Sequence, residues 1–179
     1  RLVVARGGAL ERRRDALERA LRGKNALKSL FEIGSSATAD ESVRTLAYVT
    51  VKRRCGPRAF SANLSASERT AAKGMLLDEA MRAPSKAMRN AVLDVIARVA
   101  KWTVPTSGWP ELLEFLGQCA SSPEPSHRAL AFKLFESLTE TIVNALNHHY
   151  NTLGELFKGG LVDGIAEVRV SALRAVGAL

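Results

Sequence analysis

Hydrophobic residues recur at helical spacing in two runs of the stretch 109–146. Pro110 opens the first run and suits a first helical position, because its missing N–H would have no partner there. The apolar positions that follow it are Leu112, Leu113, Phe115, Leu116 and Cys119. Prolines and serines interrupt the pattern over 121–126, and a second run then carries Leu130, Ala131, Leu134, Phe135, Leu138 and Ile142. The stretch predicts a helical hairpin with one apolar side.

The same pattern recurs along the chain when it is aligned on an arginine near the start of each second helix. These arginines are Arg44, Arg89, Arg128 and Arg169, and the intervals between them are 45, 39 and 41 residues. Three positions later stand Ala47, Val92, Ala131 and Ala172, and seven positions later stand Val51, Ile96, Phe135 and Val176. Both offsets fall on one helical face. A two-helix period of about 40 to 47 residues is that of HEAT repeats.

The predicted fold is therefore all-α, a HEAT-repeat α-solenoid built as a superhelical stack of antiparallel helical hairpins. One array is expected over 1–179, with approximate repeats 1–23 (partial), 24–58, 63–102, 109–146 and 147–179 (truncated). The alternative is an ordinary helical bundle whose hairpins are similar in length. The fourfold coincidence of offsets favours the solenoid.

Capping and breaking residues predict where individual helices begin and end. Asp40 can cap a helix over 41–54, and Ser65 with Glu68 fits a capping box. Helices are also expected over 9–22, 85–101 and 126–144, with a linker at 103–108. In the helix that His148 and His149 open, the pair Gly159 and Gly160 predicts a kink or an early end.

Positive charge is concentrated in the first third of the chain. The formal net charge is +8; residues 1–58 hold fourteen Lys/Arg against six Asp/Glu, while residues 59–179 hold twelve of each. Such a basic segment can attract nucleic acid, anionic lipid or an acidic protein face. An ordinary solvated helix surface explains the charge equally well.

The sequence contains no recognisable pattern for catalysis, metal binding or a cofactor. His127, His148 and His149 are its only histidines, and its two cysteines, Cys55 and Cys119, lack zinc spacing. The pairs Glu111 with Glu114 and Glu136 with Glu140 have no accompanying base or nucleophile, so solvated faces are expected. No run reaches the length of a membrane span, and the free thiols favour a reducing compartment. We expect no enzyme activity, no cofactor and no membrane partner.

Four segments together resemble one family. They are Val43-Arg44 continuing to VTVKRR at 49–54, WPELLEFL at 109–116, His149-Tyr150, and VRVSALRAVG at 168–177. In this order and at these distances they resemble the importin-beta (karyopherin-beta) nuclear transport receptors, in the branch of importin four and importin five. The resemblance is strongest over about 41–179.

The resemblance implies a fragment from the N-terminal part of a nuclear import receptor that shuttles between cytoplasm and nucleus. In that family the second helices of the early repeats bind RanGTP. The corresponding candidates for Ran or partner contact are Lys52, Arg53, Arg54, Arg98 and Lys101. The resemblance also implies two further kinds of partner. One is protein cargo, such as histones or ribosomal proteins, and the other is nuclear pore proteins bound through the full-length chain.

Two other functions fit the same residues. A helical-repeat protein could bind nucleic acid through the basic first 58 residues, although the resemblance ranks nucleic acid below protein partners. A plain scaffold subunit would use the extended surface of the repeats without either interaction. Reversing the charge of Lys52, Arg53 and Arg54 should weaken Ran or nucleic-acid binding and leave a scaffold intact.

Overall fold

A computed structural model describes residues 25–142 and 150–179, which contain helices and no strand. The nine helices within these ranges are α1 (Ala26–Ser35), α2 (Glu41–Arg54), α3 (Pro57–Asn63), α4 (Ala66–Arg82), α5 (Lys86–Ser107), α6 (Pro110–Ala120), α7 (Pro125–Ile142), α8 (Tyr150–Leu161) and α9 (Ala166–Gly177). The described residues divide into two compact units, whose boundary falls between Arg98 and Val99 inside α5. The predicted helix over 9–22 and the histidines at 148 and 149 lie outside the described residues.

In the first unit, α1 packs against α2, α3 and α4. The predicted caps are confirmed, because the Asp40 carboxylate accepts a hydrogen bond from the Ser42 N–H (3.0 Å). Ser65 and Glu68 form the capping box, in which the Ser65 N–H donates to Glu68 Oε2 (2.8 Å) and the Glu68 N–H donates to Ser65 Oγ (3.3 Å). Helix α2 has the predicted bounds.

In the second unit, α7 packs against α6 and α9, and α9 also packs against α8. The centre of this unit is aromatic, since the Phe157 ring of α8 lies 5.8 Å from that of Phe132 and 5.4 Å from that of Phe135, between centroids. These tilted pairs combine a large buried apolar area with favourable ring geometry. The rings hold α7 and α8 together.

The residues three positions after the repeated arginines are all fully buried, as the alignment predicted: Ala47, Val92, Ala131 and Ala172. Seven positions after the arginines, Val51, Ile96 and Phe135 are buried as well, whereas Val176 of α9 is exposed. The periodic face thus forms the core of both units, with one exception at the last helix.

Each repeated arginine bonds to a backbone carbonyl that precedes its helix, a role that the alignment alone did not predict. The acceptors are Gly34 for Arg44, Ala83 for Arg89, Ser122 and Pro123 for Arg128, and Asp163 for Arg169, at 2.7–3.3 Å. Two arginines also bind a carboxylate of the following hairpin. Arg44 pairs with Glu79 (2.5 Å), and Arg128 makes a bidentate pair with Asp163 (2.7 and 3.0 Å).

The predicted linker at 103–108 is wrong, because α5 continues through it to Ser107. Pro105 lies in the last turn, where the N–H that proline lacks would have donated to the Lys101 carbonyl, so the helix is without this one intrahelical bond and ends two residues later. The Thr103 hydroxyl donates to the Val99 carbonyl (3.0 Å) within this extension. Gly108 then adopts a φ of +72°, the left-handed conformation that commonly ends a helix.

Two further features concern the ends of helices. Gly56 is the N-cap residue of α3 and Pro57 begins this helix, because proline suits a first helical position. Helix α8 runs through Gly159 and Gly160 and ends at Leu161. A Cβ on Gly160 would overlap the Phe132 ring and lie 2.9 Å from Ala172 Cβ. The helix thus ends one residue after the glycine pair, in agreement with the predicted early end, and close packing against Phe132 is a further reason for a glycine at position 160.

Candidate partner-binding surface

Four of the five candidate cations lie in the first unit. Lys52, Arg53 and Arg54 form the last turn of α2, and Arg98 lies on α5. All four side chains are exposed, as is Lys101, which belongs to the second unit. We refer to Lys52, Arg53, Arg54 and Arg98 as the α2 basic end. Cations are favourable at this position because the C-terminal end of a helix carries a partial negative charge.

Two contacts connect α5 to the α2 basic end. Lys52 Nζ lies 2.9 Å from Asp94 Oδ2, and Arg98 Nε donates a hydrogen bond to the carbonyl of Cys55 (3.2 Å). Cys55 is the C-cap residue of α2, so Arg98 satisfies a carbonyl that the helix itself leaves without a partner. Lys52 and Asp94 are each about half exposed, so their ion pair contributes little to stability.

The structure thus brings Lys52 and Arg98, which are far apart in sequence, to the same end of α2. Asp94 was missed in the sequence, where its only signal is its position four residues before Arg98 on one helix. The surface offers ammonium and guanidinium groups, and the Asp94 carboxylate beside them is paired with Lys52. Such cations can bind anionic groups, and salt weakens this binding because it screens the charges.

A small apolar cleft in the second unit was also missed. It has a volume of about 280 Å³, and its lining combines leucines of α6 and α8 with Phe135, Glu114, Gly117 and Thr152. A Cβ on Gly117 would meet nothing within 4 Å. The glycine therefore leaves the cleft open at a cost of about 1 kcal/mol in helix propensity. Such a lining suits an apolar side chain.

Within the described ranges, no group of three His, Cys, Asp or Glu residues could hold a metal ion. Both cysteines are buried, and this burial raises the pKa of the Cys55 thiol to about 12 and that of Cys119 to about 11. Neither thiol is an activated nucleophile. Among the described helices, none is long and apolar enough to cross a membrane.

Comparison with known proteins places these features in a family context. A family model described as "IPO5-like, TPR repeats" matches residues 84–179. The "Probable importin-5 homolog" of Dictyostelium discoideum is 36% identical over 95 residues, which cover 52% of this chain and 9% of that protein. The "Probable importin subunit beta-4" of Schizosaccharomyces pombe is 30% identical over 122 residues, or 68% of this chain and 11% of the relative. The chain thus spans about a tenth of these relatives.

Solved structures of Kap121p have the same fold. The structure of Kap121p alone matches with a TM-score of 0.70 at 22% identity, over 85% of this chain and 14% of that one. Kap121p bound to Nup53p gives a TM-score of 0.68, and Kap121p bound to Pho4p gives 0.69, both at 22% identity and with the same coverage. At this identity the likeness concerns the fold alone. It confirms the predicted all-α HEAT-repeat α-solenoid.

Proposed function

Because this chain belongs to the importin-5-like family of importin-beta proteins, we propose that it serves in a nuclear transport receptor that shuttles between cytoplasm and nucleus. The observation that carries the proposal is the family match over 84–179, which includes α5 and the whole third and fourth hairpins. A stack of helical hairpins offers a long surface suited to proteins. The activity is one of binding and release, without chemical conversion of a substrate.

We propose that RanGTP binds at the α2 basic end. Lys101, in the second unit, is a separate candidate for partner contact. The exposed ammonium and guanidinium groups there support this assignment, because they can attract an acidic protein face. All four cations of the α2 basic end are candidates for direct contact. Lys52 pairs with Asp94 and Arg98 bonds to the Cys55 carbonyl, and these contacts hold the two side chains in place.

Protein cargo and nuclear pore proteins are the other proposed partners. Kap121p has been solved in complex with Nup53p, Pho4p and Ste12p. These complexes support the proposal that the present chain serves a receptor for comparable proteins, with histones and ribosomal proteins as cargo to be tested.

The decisive experiment is a titration with Ran. The 179-residue chain, and the longest natural protein that contains its sequence, are titrated with Ran loaded with GTP or GDP at moderate salt. We expect selective binding of the GTP form. Arg53→Glu with Arg54→Glu should weaken it by about tenfold or more, because repulsion replaces attraction at two contacts. Absence of GTP-selective binding by the longer protein would reject the Ran proposal.

A matched control is available in the same unit. Arg82 of α4 is exposed and pairs with Asp78 one helical turn earlier, so Arg82→Glu, compared with the single variant Arg53→Glu, introduces the same change of charge away from the α2 basic end. This variant should bind Ran within about twofold of the natural chain, since a remote charge acts only through screened fields. Equal losses in both variants would mean that net charge, and not the proposed surface, governs binding.

Nucleic acid is the alternative partner, supported by the excess of cations in residues 1–58. Its signature would be an affinity for duplex DNA whose logarithm falls with the logarithm of salt concentration, by about 0.9 per phosphate contacted. DNA binding with such a slope, combined with indifference to Ran, would favour this alternative.

A further inference from the structure

The turns that precede α7 and α9 have the same backbone hydrogen bonds. Ser122 and Asp163 each stand six residues before a repeated arginine. Their N–H groups donate to the carbonyls three residues earlier, at 3.2 Å for Ser122 and 3.4 Å for Asp163. Their own carbonyls accept a hydrogen bond from the arginine of the same hairpin, Arg128 (2.9 Å) or Arg169 (2.7 Å). Ser122 is thus the structural counterpart of Asp163.

The side chains at these two positions also make the same local bond. Ser122 Oγ accepts from the Glu124 N–H (3.2 Å), and Asp163 Oδ1 accepts from the Ile165 N–H (2.9 Å). Ser122 Oγ also hydrogen-bonds the His127 ring at Nδ1 (3.1 Å). The two side chains differ in charge, because a neutral hydroxyl in the turn before α7 occupies the place of a carboxylate in the turn before α9.

The turn before α9 favours an anion at this place. The Arg128 guanidinium and the Ile165 N–H hold the pKa of Asp163 below its ordinary value, and the charge of Arg169 makes a smaller contribution. Two of these three causes recur around Ser122, namely an N–H two residues later and the arginine of the same hairpin. A negative charge on the Ser122 side chain would therefore be favoured as well.

Ser122 is also the one serine or threonine in the 179 residues that a proline follows. Proline-directed protein kinases select this pair, in which the second residue has a fixed φ and no N–H. Ser122 is partly exposed, and its neighbours Ser121, Pro123 and Glu124 are exposed. The segment lies between α6 and α7, and such a turn opens more readily than the interior of a helix.

We propose that Ser122 is a phosphorylation site for proline-directed protein kinases, and that the turn before α7 binds the phosphate as the turn before α9 binds the Asp163 carboxylate. The γ-phosphoryl group of ATP passes to Ser122 Oγ. A P–O bond forms to the serine oxygen, the bond to the oxygen of ADP breaks, and the hydroxyl proton passes to a base of the kinase.

The phosphate would find its hydrogen-bond donors in the same turn. They are the Glu124 N–H, the His127 ring and the Arg128 guanidinium, whose Nη1 already bonds to the Ser122 carbonyl. Such charge-assisted bonds are stronger than those of the neutral hydroxyl, so the modified turn is held more firmly. This inference does not depend on which partner the receptor binds.

The first test is phosphorylation of the folded 179-residue chain by two proline-directed kinases, one mitogen-activated and one cyclin-dependent. After incubation with Mg²⁺ and ATP, mass spectrometry should find one phosphate per chain, on Ser122. Pro123→Ala should slow the reaction by at least about tenfold, because these kinases discriminate through this residue. Pro125→Ala is the matched control, since it removes a nearby proline that does not follow a serine, and its rate should stay within about twofold.

A peptide with the sequence of residues 117–128 shows whether the kinases accept the sequence itself. Phosphorylation of the peptide but not of the folded chain would overturn the proposal, because the turn would then exclude the kinases. Absence of phosphate from both would overturn it too, as would equal rates for the natural chain and Pro123→Ala.

The second test is whether the turn binds the phosphate. The second ionisation of phosphoserine, with an ordinary pKa of about 6, is followed by ³¹P NMR in the phosphorylated chain and in the phosphorylated peptide. We expect a midpoint that is lower in the chain by about half a pH unit or more, because N–H donors and Arg128 favour the dianion. The carboxylates of Glu124 and Asp163 act in the opposite direction, but Arg128 offsets part of their charge.

His127→Gln should raise the midpoint in the chain toward that of the peptide, since it removes a ring that contacts Ser122. His127→Gln in the peptide is the matched control and should have little effect, because the peptide does not hold the ring beside the phosphate. Equal midpoints for the natural chain and the peptide would contradict binding of the phosphate by the turn.

Discussion

The two units place an aromatic residue against a glycine at the same repeat position but take the glycine from different hairpins. Tyr48 and Phe132 each follow a repeated arginine by four residues, and both are buried. Tyr48 lies over Gly34, at the end of the first helix of its own hairpin, whereas Phe132 lies over Gly160, in the first helix of the next hairpin. The repeat therefore determines the position of the aromatic side chain, and a glycine from a different hairpin accommodates the ring in each unit.

The repeated arginines likewise keep their position in the repeat, while their partners differ between the two units. Arg44 and Arg128 both reach a carboxylate 35 residues later, but Glu79 lies within α4 while Asp163 lies in the turn between α8 and α9. Asp163 also accepts a bond from the Ile165 N–H, and its carbonyl accepts one from Arg169. Asp163 thus serves two arginines, because its carboxylate binds Arg128 and its carbonyl accepts from Arg169, whereas Glu79 and Gly34 supply a carboxylate and a carbonyl to the single residue Arg44.

Removal of the Phe132 ring should have the largest effect. Phe132→Ala deletes a fully buried side chain that packs on Phe135 and Phe157, so we expect a loss of about 3–5 kcal/mol in the free energy of unfolding. Both tryptophans, Trp102 and Trp109, belong to the second unit, so urea unfolding followed by tryptophan emission reports on this region.

The control for this variant is Leu46→Ala, which truncates a half-exposed side chain and should change stability by about 0.5 kcal/mol or less. A loss for Phe132→Ala below about 1 kcal/mol would mean that the aromatic cluster does not hold α7 and α8 together.

An added methyl group at Gly160 should have an intermediate effect. Gly160→Ala overlaps the Phe132 ring and crowds Ala172, so overpacking should cost about 1–3 kcal/mol in the free energy of unfolding. Gly159→Ala, one residue earlier, meets nothing within 4 Å and should instead stabilise the protein by about 0.5–1 kcal/mol through helix propensity. Equal effects of the two variants would show that Gly160 is not packed as the structure describes.

Gly160 also shows where prediction from the sequence succeeded and where it failed. The repeat period and its offsets predicted the buried positions of all four second helices, except that Val176 is exposed. Helix propensity predicted a kink or an early end at Gly159 and Gly160, and α8 does end at Leu161, but the close packing of Gly160 against Phe132 was not predicted. The linker expected at 103–108 is wrong as well, because α5 continues to Ser107 with Pro105 in its last turn.

The candidate site was predictable in composition but not in its contacts. Local charge singled out Lys52, Arg53, Arg54, Arg98 and Lys101, and the structure places all of them at the surface. The contacts of Lys52 with Asp94 and of Arg98 with the Cys55 carbonyl join residues more than 40 positions apart, so they depend on how α2 and α5 pack. Binding of Ran by these residues remains a prediction.

The smallest expected effect is on the titration of one carboxylate in each unit, Glu68 and Asp163, whose pKa values are lowered by different partners. Hydrogen bonds from Lys28 and from the Ser65 N–H lower the pKa of Glu68 in the first unit to about 2. In the second unit, the Arg128 guanidinium and the Ile165 N–H hold the pKa of Asp163 below its ordinary value. Both groups favour the folded state when ionised, so their contribution to stability is lost as the pH falls below their ordinary values.

Titration of the carboxyl carbons by NMR can separate the causes of these shifts. In Lys28→Met, the midpoint for Glu68 should rise from about 2 toward 4.5 yet stay below it, because the bonds within the capping box remain. The midpoint for Asp163 should not move, since Lys28 is not among its partners. Arg82→Met, at the other end of α4, should leave both midpoints in place. An unchanged Glu68 midpoint in Lys28→Met would assign the low pKa of Glu68 to the capping box alone. The ion pair of Lys28 with Glu68 would then have no effect comparable to that of Arg128 on Asp163.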